Sequence, residues 1–302
     1  MRVFVTGATG LIGTALVARL QYDGHGVAAW VRSESRARRR LGSGSDLVPV
    51  GASDEVLKGA LSLCDAVVNV AGEPVVPARW TAGRKRVLVD SRVALTHRLV
   101  TALSHSVPRP RVLVSASATG YYGDRGTEVL TEDSLPGSDF LARLCVDWEK
   151  AALSAEGAGV RVVVVRIGVV LAREGGALAK MLPAFRAGLG GPIGSGRQYV
   201  PWIHRSDLVS VLLAALADER YSGPLNVTAP GLVSSREFAR ELGRAVHRPA
   251  VFPVPGLVLR VALGEVASML LGGQRAEPRR LRQLGYEHRF GNLESALADL
   301  LG

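Results

Sequence analysis

An α/β fold, a doubly wound parallel sheet with a smaller, discontinuous C-terminal lobe, is predicted by three features of the chain. Apolar strand-like runs alternate with amphipathic helical runs as far as Val170, a pattern that buries a parallel sheet under helices on both faces. A glycine-rich turn, Thr6-Gly7-Ala8-Thr9-Gly10-Leu11-Ile12-Gly13, joins the first strand to the first helix. Beyond Val170 the alternation gives way to glycine-rich and helical stretches.

Strands are expected at residues 3–6, 26–31, 47–50, 66–70, 111–115 and 160–167, and helices at 11–21, 82–103 and 139–155. Residues 188–196 (Gly-Leu-Gly-Gly-Pro-Ile-Gly-Ser-Gly) are too rich in glycine for a helix or a regular strand and read as an ordered loop. Pro201-Trp202-Ile203-His204 leads to Asp207, an apolar helix and a short strand at 225–227, and the chain from Pro230 onward reads as mostly helical. The expected division is a nucleotide-binding domain at 1–170, rejoined by about 201–228, and a substrate lobe made of 171–200 and 229–302.

With 302 residues, 47% hydrophobic and 21% charged, the chain has enough apolar surface for a large core and is too apolar for disorder. The start on a strand leaves no room for a signal peptide, and charges interrupt the longest apolar runs, so no membrane span is expected. Cys64 and Cys145 suggest neither a disulfide framework nor a metal site, which favours a reducing cytoplasm. The net charge of +10 is carried mostly by arginine. Its clusters, at 36–40 and 279–282, lack interleaved aromatics for base stacking, so small anionic molecules are the expected partners rather than nucleic acid.

The glycine turn carries the first chemistry. Gly7 permits a tight turn, Gly10 lets the backbone approach a pyrophosphate, and Gly13 lets helix and strand pack closely. The helix from Leu11 and Ile12 then presents free N–H groups and the positive end of its dipole to the phosphates. This is the arrangement of a Rossmann-type dinucleotide site. An enzyme selective for NAD usually carries Asp or Glu at the end of the second strand. Here Arg32 and Ser33 stand there, with Arg36 and Arg38 beyond, which favours the 2′-phosphate of NADP(H). Glu34 argues the other way if the register slips. The fourth strand ends in Ala71-Gly72-Glu73-Pro74, small enough to pass under a cofactor. Glu73 is either an acceptor for a ribose hydroxyl or part of an ordinary turn.

Over essentially its full length the chain resembles the extended short-chain dehydrogenase/reductases. The resemblance rests on the glycine turn, on Ser115-Ala116-Ser117-Ala118-Thr119-Gly120-Tyr121-Tyr122-Gly123, and on Pro201-Trp202-Ile203-His204 with Asp207. It implies a Tyr-x-x-x-Lys pair, a serine that holds the substrate oxygen, and an upstream Asn. None of the six tyrosines has a lysine four positions later. Leu141 and Cys145 fall where the Tyr and Lys belong, Arg92 falls where the Asn belongs, and Ser117 survives. That combination is similar to an atypical branch, the "epimerase family" proteins of the cell-division-inhibitor-like type. Ala71 to Pro74, Arg79-Trp80, the 190–196 loop and Gly272-Gly273-Gln274-Arg275 match it as well. The resemblance implies NADP(H) binding and no settled substrate.

Ser117, Tyr122 and Arg92 are the candidate catalytic set, with a phenol on the loop replacing the missing one and a guanidinium lowering its pKa. Tyr121 and Tyr122 equally suit packing of the substrate lobe. Arg79 and Trp80 are candidates to clamp an anionic substrate. His204 is a candidate ligand contact, or it positions the following helix. Cys145 reads as a small buried residue more readily than as a nucleophile. Two functions follow: an NADP(H)-dependent oxidoreductase or epimerase-like enzyme on a carbonyl or sugar-nucleotide-like substrate, or a non-catalytic NADP(H)-binding regulator that senses redox state, in a division-related role. An epimerase using the superfamily's usual mechanism needs the Tyr that Leu141 replaces. No metal is expected, and a homodimer is suggested by analogy alone.

Overall fold

The sheet forms because its strands are apolar on both sides. In the computed structural model, which describes residues 1–76 and 79–302, the chain runs β1 (Arg2–Thr6), α1 (Leu11–Tyr22), β2 (Gly26–Val31), α2 (Glu34–Leu41), β3 (Asp46–Pro49), α3 (Asp54–Ser62) and β4 (Ala66–Asn69). A helical stretch follows as α4 (Ala82–Val89), a π-helical turn (Asp90–Ala94) and α5 (Leu95–Ser104). Next come β5 (Val112–Ala118), a 3-10 turn (Thr119–Tyr122), the short β6 (Val129–Leu130), α6 (Phe140–Leu153), β7 (Arg161–Ile167) and β8 (Val169–Ala172). Then come α7 (Gly176–Arg186), β9 (Tyr199–Val200), β10 (Trp202–His204), α8 (Arg205–Ala217) and β11 (Gly223–Val227). The remaining elements are β12 (Val233–Ser234), α9 (Ser235–Ala245), α10 (Gly256–Leu263), α11 (Val266–Leu271), β13 (Arg275–Ala276), α12 (Arg279–Gln283) and α13 (Leu293–Leu301).

Seven strands pair in parallel in the order β11-β7-β5-β4-β1-β2-β3. The order reverses between β1 and β4, so the carboxyl ends of these two strands flank a crevice. Alternation within each strand divides the core. Val3 and Val5 of β1 face Leu16 and Leu20 of α1 and Val211 and Leu212 of α8, whereas Phe4 faces Leu57 and Leu61 of α3 and Leu99 and Leu103 of α5. β7 contributes Val163 and Val165 to the first face and Val162 and Val164 to the second.

A third apolar cluster gathers Leu178, Leu182 and Phe185 of α7, Trp202, Phe238 and Leu242 of α9, and Leu293 and Leu297 of α13. β8 pairs with β10 and β9 with β12 at its border with the sheet. The chain returns to the sheet after Pro201, because β11 pairs with β7 from Gly223↔Val163 to Val227↔Ile167.

Three differences from the sequence reading bear on the site. The helix expected at 82–103 is interrupted by the π-helical turn. Asp139 lies outside its helix as the N-cap, accepting from Ala142 N at 2.9 Å. β5 extends to Ala118, so Ser117 stands on the strand itself, opposite Arg166 of β7. Among the described residues, no helix is long and apolar enough to cross a membrane, and no group of three or more His, Cys, Asp or Glu is placed to hold a metal.

Candidate functional site

The glycine turn is shaped by contact rather than by flexibility. Gly7 has φ +65°, and a Cβ there would lie 2.6 Å from the carbonyl oxygen of Val70 at the end of β4. A Cβ on Gly13 would lie 2.2 Å from the carbonyl oxygen of Gly7, so α1 can start against the turn only through glycine. Gly10 N donates to Gly7 O at 2.9 Å and Gly10 caps α1 without any side-chain acceptor. The first N–H groups of α1, at Leu11 and Ile12, therefore face the crevice unblocked by a side-chain cap.

Arg32 follows β2 directly, and Ser33 next to it accepts from Arg36 N as the cap of α2. Arg32 Nη1 meets Glu73 Oε1 at 2.5 Å, joining the loop after β2 to the loop after β4 across the crevice. Glu73 is thus engaged by a guanidinium in this structure, not left open for a ribose. Arg38 donates to Ser45 O. Arg40, which the sequence reading passed over, donates to Thr9 O at 2.7 Å and braces the glycine turn from α2.

From Ile12, Ala71 and Gly72 the crevice opens into a cavity of about 1010 Å³. Ser117, Arg92, Cys145, Trp148 and Trp80 face its inner part. Ser117 is held from behind: its hydroxyl donates to Glu149 Oε1 at 2.6 Å. Glu149 is in turn gripped by Arg166, which reaches Oε1 through Nε and Oε2 through Nη2, each at 2.9 Å. Both charged residues are buried. Since the one proton of Ser117 is committed to a carboxylate, the hydroxyl turns lone pairs toward the cavity and acts there as an acceptor.

The tyrosines lie elsewhere. Tyr122 is 0% exposed and does not reach the cavity; its hydroxyl donates to Asn226 Oδ1 at 2.6 Å and accepts from Arg166 Nη1 at 3.0 Å. Burial pushes its pKa up to about 12. Tyr121 packs edge-on against Tyr122, with the Arg166 guanidinium 3.5 Å from its ring centroid, and does not line the cavity either. The 3-10 turn after β5 sends both rings behind the wall, where Arg166 stands. The expectation that Tyr122 replaces the lost phenol is corrected accordingly, and with it the idea that Arg92 tunes that tyrosine.

Arg92 lies on the π-helical turn, its guanidinium 5.3 Å from the Trp148 ring. It donates to Glu73 O at 2.9 Å, while its neighbour Ser91 accepts from Glu73 N at 3.2 Å. Leu141 lines the cavity as an apolar surface. Burial pushes the thiol of Cys145 up to about 12, so no thiolate nucleophile stands there at neutral pH. Trp80 lines the cavity and donates to Val75 O, but Arg79 points away from it to Val261 O and Ala262 O at the end of α10. His204 caps α8 by accepting from Ser206 N and stands 3.3 Å from Asp299, away from the cavity. The structure therefore brings together Ser117, Arg92, Trp80, Ala71 and Gly72, and leaves Tyr121, Tyr122, Arg79 and His204 outside. Glu149 and Arg166 were missed as site residues. Arg166 carried a signal, being a charge inside an otherwise apolar strand; Glu149, on an amphipathic helix, carried none.

Comparison with known proteins adds the lineage. Residues 3–227 match the model of the NAD dependent epimerase/dehydratase family, and residues 254–300 match a domain of unknown function, DUF1731. The chain is 42% identical over its full length to an Arabidopsis thaliana protein described as "Epimerase family protein SDR39U1 homolog, chloroplastic", covering 87% of it. It is 41% identical to the mouse epimerase family protein SDR39U1, covering both chains in full. The crystal structure of human epimerase family protein SDR39U1 (isoform 2) with NADPH superposes with a TM-score of 0.86 at 36% identity, covering 100% of this chain and 99% of that one.

Proposed function

Because the chain belongs to the NAD dependent epimerase/dehydratase family, we propose that it is an NADP(H)-dependent oxidoreductase acting on a small molecule that carries a hydroxyl or carbonyl. The observation that carries this reading is the continuity of the glycine turn, through Ile12, Ala71 and Gly72, with a deep cavity that has Ser117 on its wall.

The residues present fit the dinucleotide. Gly7 and Gly13 let the turn, the end of β4 and the start of α1 close up where a Cβ would strike backbone, α1 offers uncapped N–H groups, and Arg32 stands where a 2′-phosphate needs a cation. The crystallised human relative is described with NADPH, which supports the same choice here. Arg32 is already paired with Glu73 through Nη1, so the two acceptors compete for its guanidinium. With the Arg32 side chain 76% exposed, solvent screens the contact. Arg32→Ala is expected to weaken NADPH about tenfold while leaving NADH unchanged. Glu73→Gln, which frees the guanidinium, is expected to tighten NADPH roughly two- to fivefold. Fluorescence titration with both cofactors checks this; an NADPH affinity unchanged by Arg32→Ala would remove Arg32 from the phosphate site.

When bound, the cofactor supplies or accepts a hydride. Arg92 donates to the substrate oxygen and stabilises its developing negative charge, and a water molecule supplies the proton that completes reduction. Ser117 accepts a hydrogen bond from the hydroxyl so formed, and Trp80 and Leu141 line the walls. Stereospecifically deuterated NADPH is expected to pass label to a carbonyl acceptor, and Ser117→Ala to slow that single turnover about a hundredfold.

A second reading has an observation of its own: no tyrosine, lysine or thiolate meets Ser117 at the cavity wall, among the described residues. Tight NADPH binding with no labelled product from any acceptor would replace the oxidoreductase by a cofactor-sensing regulator.

A further inference from the structure

Beyond Ser117 the cavity is mostly apolar. Met181, Phe185, Phe238, Met269 and Leu271 face it from α7, α9 and α11. A sugar nucleotide would need many unengaged donors and acceptors there; most of the polar side chains are already in use, with Gln198 Oε1 and the hydroxyls of Thr119 and Tyr199 left without a protein partner among the described residues. Asp139 caps α6, Asp124 accepts from Gly126 N and Gly273 N, and Gln274 donates to Gly123 O. Gln198 donates to Ile193 O and Leu270 O, and Ser235 accepts from Ile193 N. At the rim Glu265 is paired with Lys85, and Arg260 lies exposed.

The inner end carries one charge without a counter-ion. Among the described residues no carboxylate lies within ion-pair distance of Arg92, which stacks on Trp148, donates through Nη2 to Glu73 O at 2.9 Å, and makes only two contacts of 3.4 Å through Nη1. Its Nε has no acceptor among the described residues. Burial pushes its pKa down, outweighing the opposing pull of the Glu73 charge. Arg92 stacks on Trp148 and Ser117 donates to Glu149, neighbouring residues of α6, so both stand on the wall that α6 supports.

We propose that the cavity takes an amphipathic carboxylic acid, its carboxylate on Arg92 beside Ser117 and its apolar body along Met181, Phe185, Phe238 and Met269. One guanidinium matches a monoanion; a phosphate dianion would call for a second cation at that end. The inference names the substrate class of the oxidoreductase proposed above and rests on that reading for the cavity's role, though not for its occupant.

The test is calorimetric titration of hexanoate, 1-hexanol and acetate into the protein saturated with NADP⁺, with NADPH affinity measured separately by fluorescence. Hexanoate is expected to bind about tenfold or more tighter than either of the others, and Arg92→Gln to remove that advantage over hexanol. Met181→Gln is expected to weaken hexanoate and hexanol alike and leave acetate unchanged. The proposal is overturned if hexanoate binds no tighter than hexanol, or if UDP-glucose binds tighter than hexanoate. It is also overturned if Arg92→Gln weakens NADPH and leaves hexanoate unchanged, which would assign Arg92 to the cofactor. Should Arg92→Gln fail to fold, the wild-type comparison and Met181→Gln still decide. Loss of NADPH binding with hexanoate binding intact would instead strike only the oxidoreductase reading.

Discussion

Glu149→Ala is expected to lower folding stability by about 3–5 kcal/mol, because it strands the Arg166 guanidinium in the core without a counter-charge. Arg166 would keep only the Tyr122 hydroxyl at 3.0 Å and Glu132 O at 3.1 Å as acceptors. Removing both charges together has a different outcome. Glu149→Met combined with Arg166→Met fills the space with apolar atoms and is expected to recover most of the loss, since replacing a whole buried pair is often close to neutral. Urea denaturation of the three proteins separates the cases. A single variant within about 1 kcal/mol of the parent would mean that water reaches the pair. The double variant should stay folded yet lose the orientation of Ser117, whose hydroxyl then regains a proton to donate.

Gly13→Ala is expected to weaken NADPH by about a hundredfold or more, equivalent to at least ~2.8 kcal/mol. Its Cβ would lie 2.2 Å from Gly7 O and 2.7 Å from Ala8 Cα, so either α1 lifts from the turn or the turn opens. Each displaces the N–H groups that address the phosphates. Gly10→Ala serves as the control for fold, since its Cβ at 3.2 Å from Gly7 O crowds the turn less and should lower the melting temperature less, while still standing where the backbone approaches the pyrophosphate. Fluorescence titration, paired with thermal melts to register any loss of fold, gives the comparison. Unchanged affinity in Gly13→Ala would refute the placement of the phosphates at this turn.

The parts of this protein that are legible in its sequence are local ones. The glycine spacing, the apolar alternation and the arginine after β2 each declare themselves within about ten residues, and the sheet follows from them. Ser117 was legible for the same reason, as part of a continuous motif. Its chemical sense was not, because the carboxylate that takes its proton comes from α6 and the guanidinium that fixes that carboxylate comes from β7. Tyr122 failed in the same way. Its position after β5 suggested the cavity, and only the distant Arg166 and Asn226 show which way the ring turns. Apolar walls hide equally well, since Met181, Phe238 and Met269 look like ordinary core in sequence and form one surface only when α7, α9 and α11 converge.

The π-helical turn at Asp90–Ala94 has a consequence for how this protein can change. Successive residues on an α-helix point about 100° apart, yet Ser91 and Arg92 grip the two polar groups of a single residue, Glu73 N and Glu73 O. The wider turn makes that grip geometrically possible. Deleting one residue there would leave a more regular helix and a worse protein, with either Ser91 or Arg92 swung off the crevice. Substitutions in this stretch are therefore a gentler route for divergence than changes of length, and the spacing between Thr81 and Leu95 becomes as much a part of the site as any side chain in it.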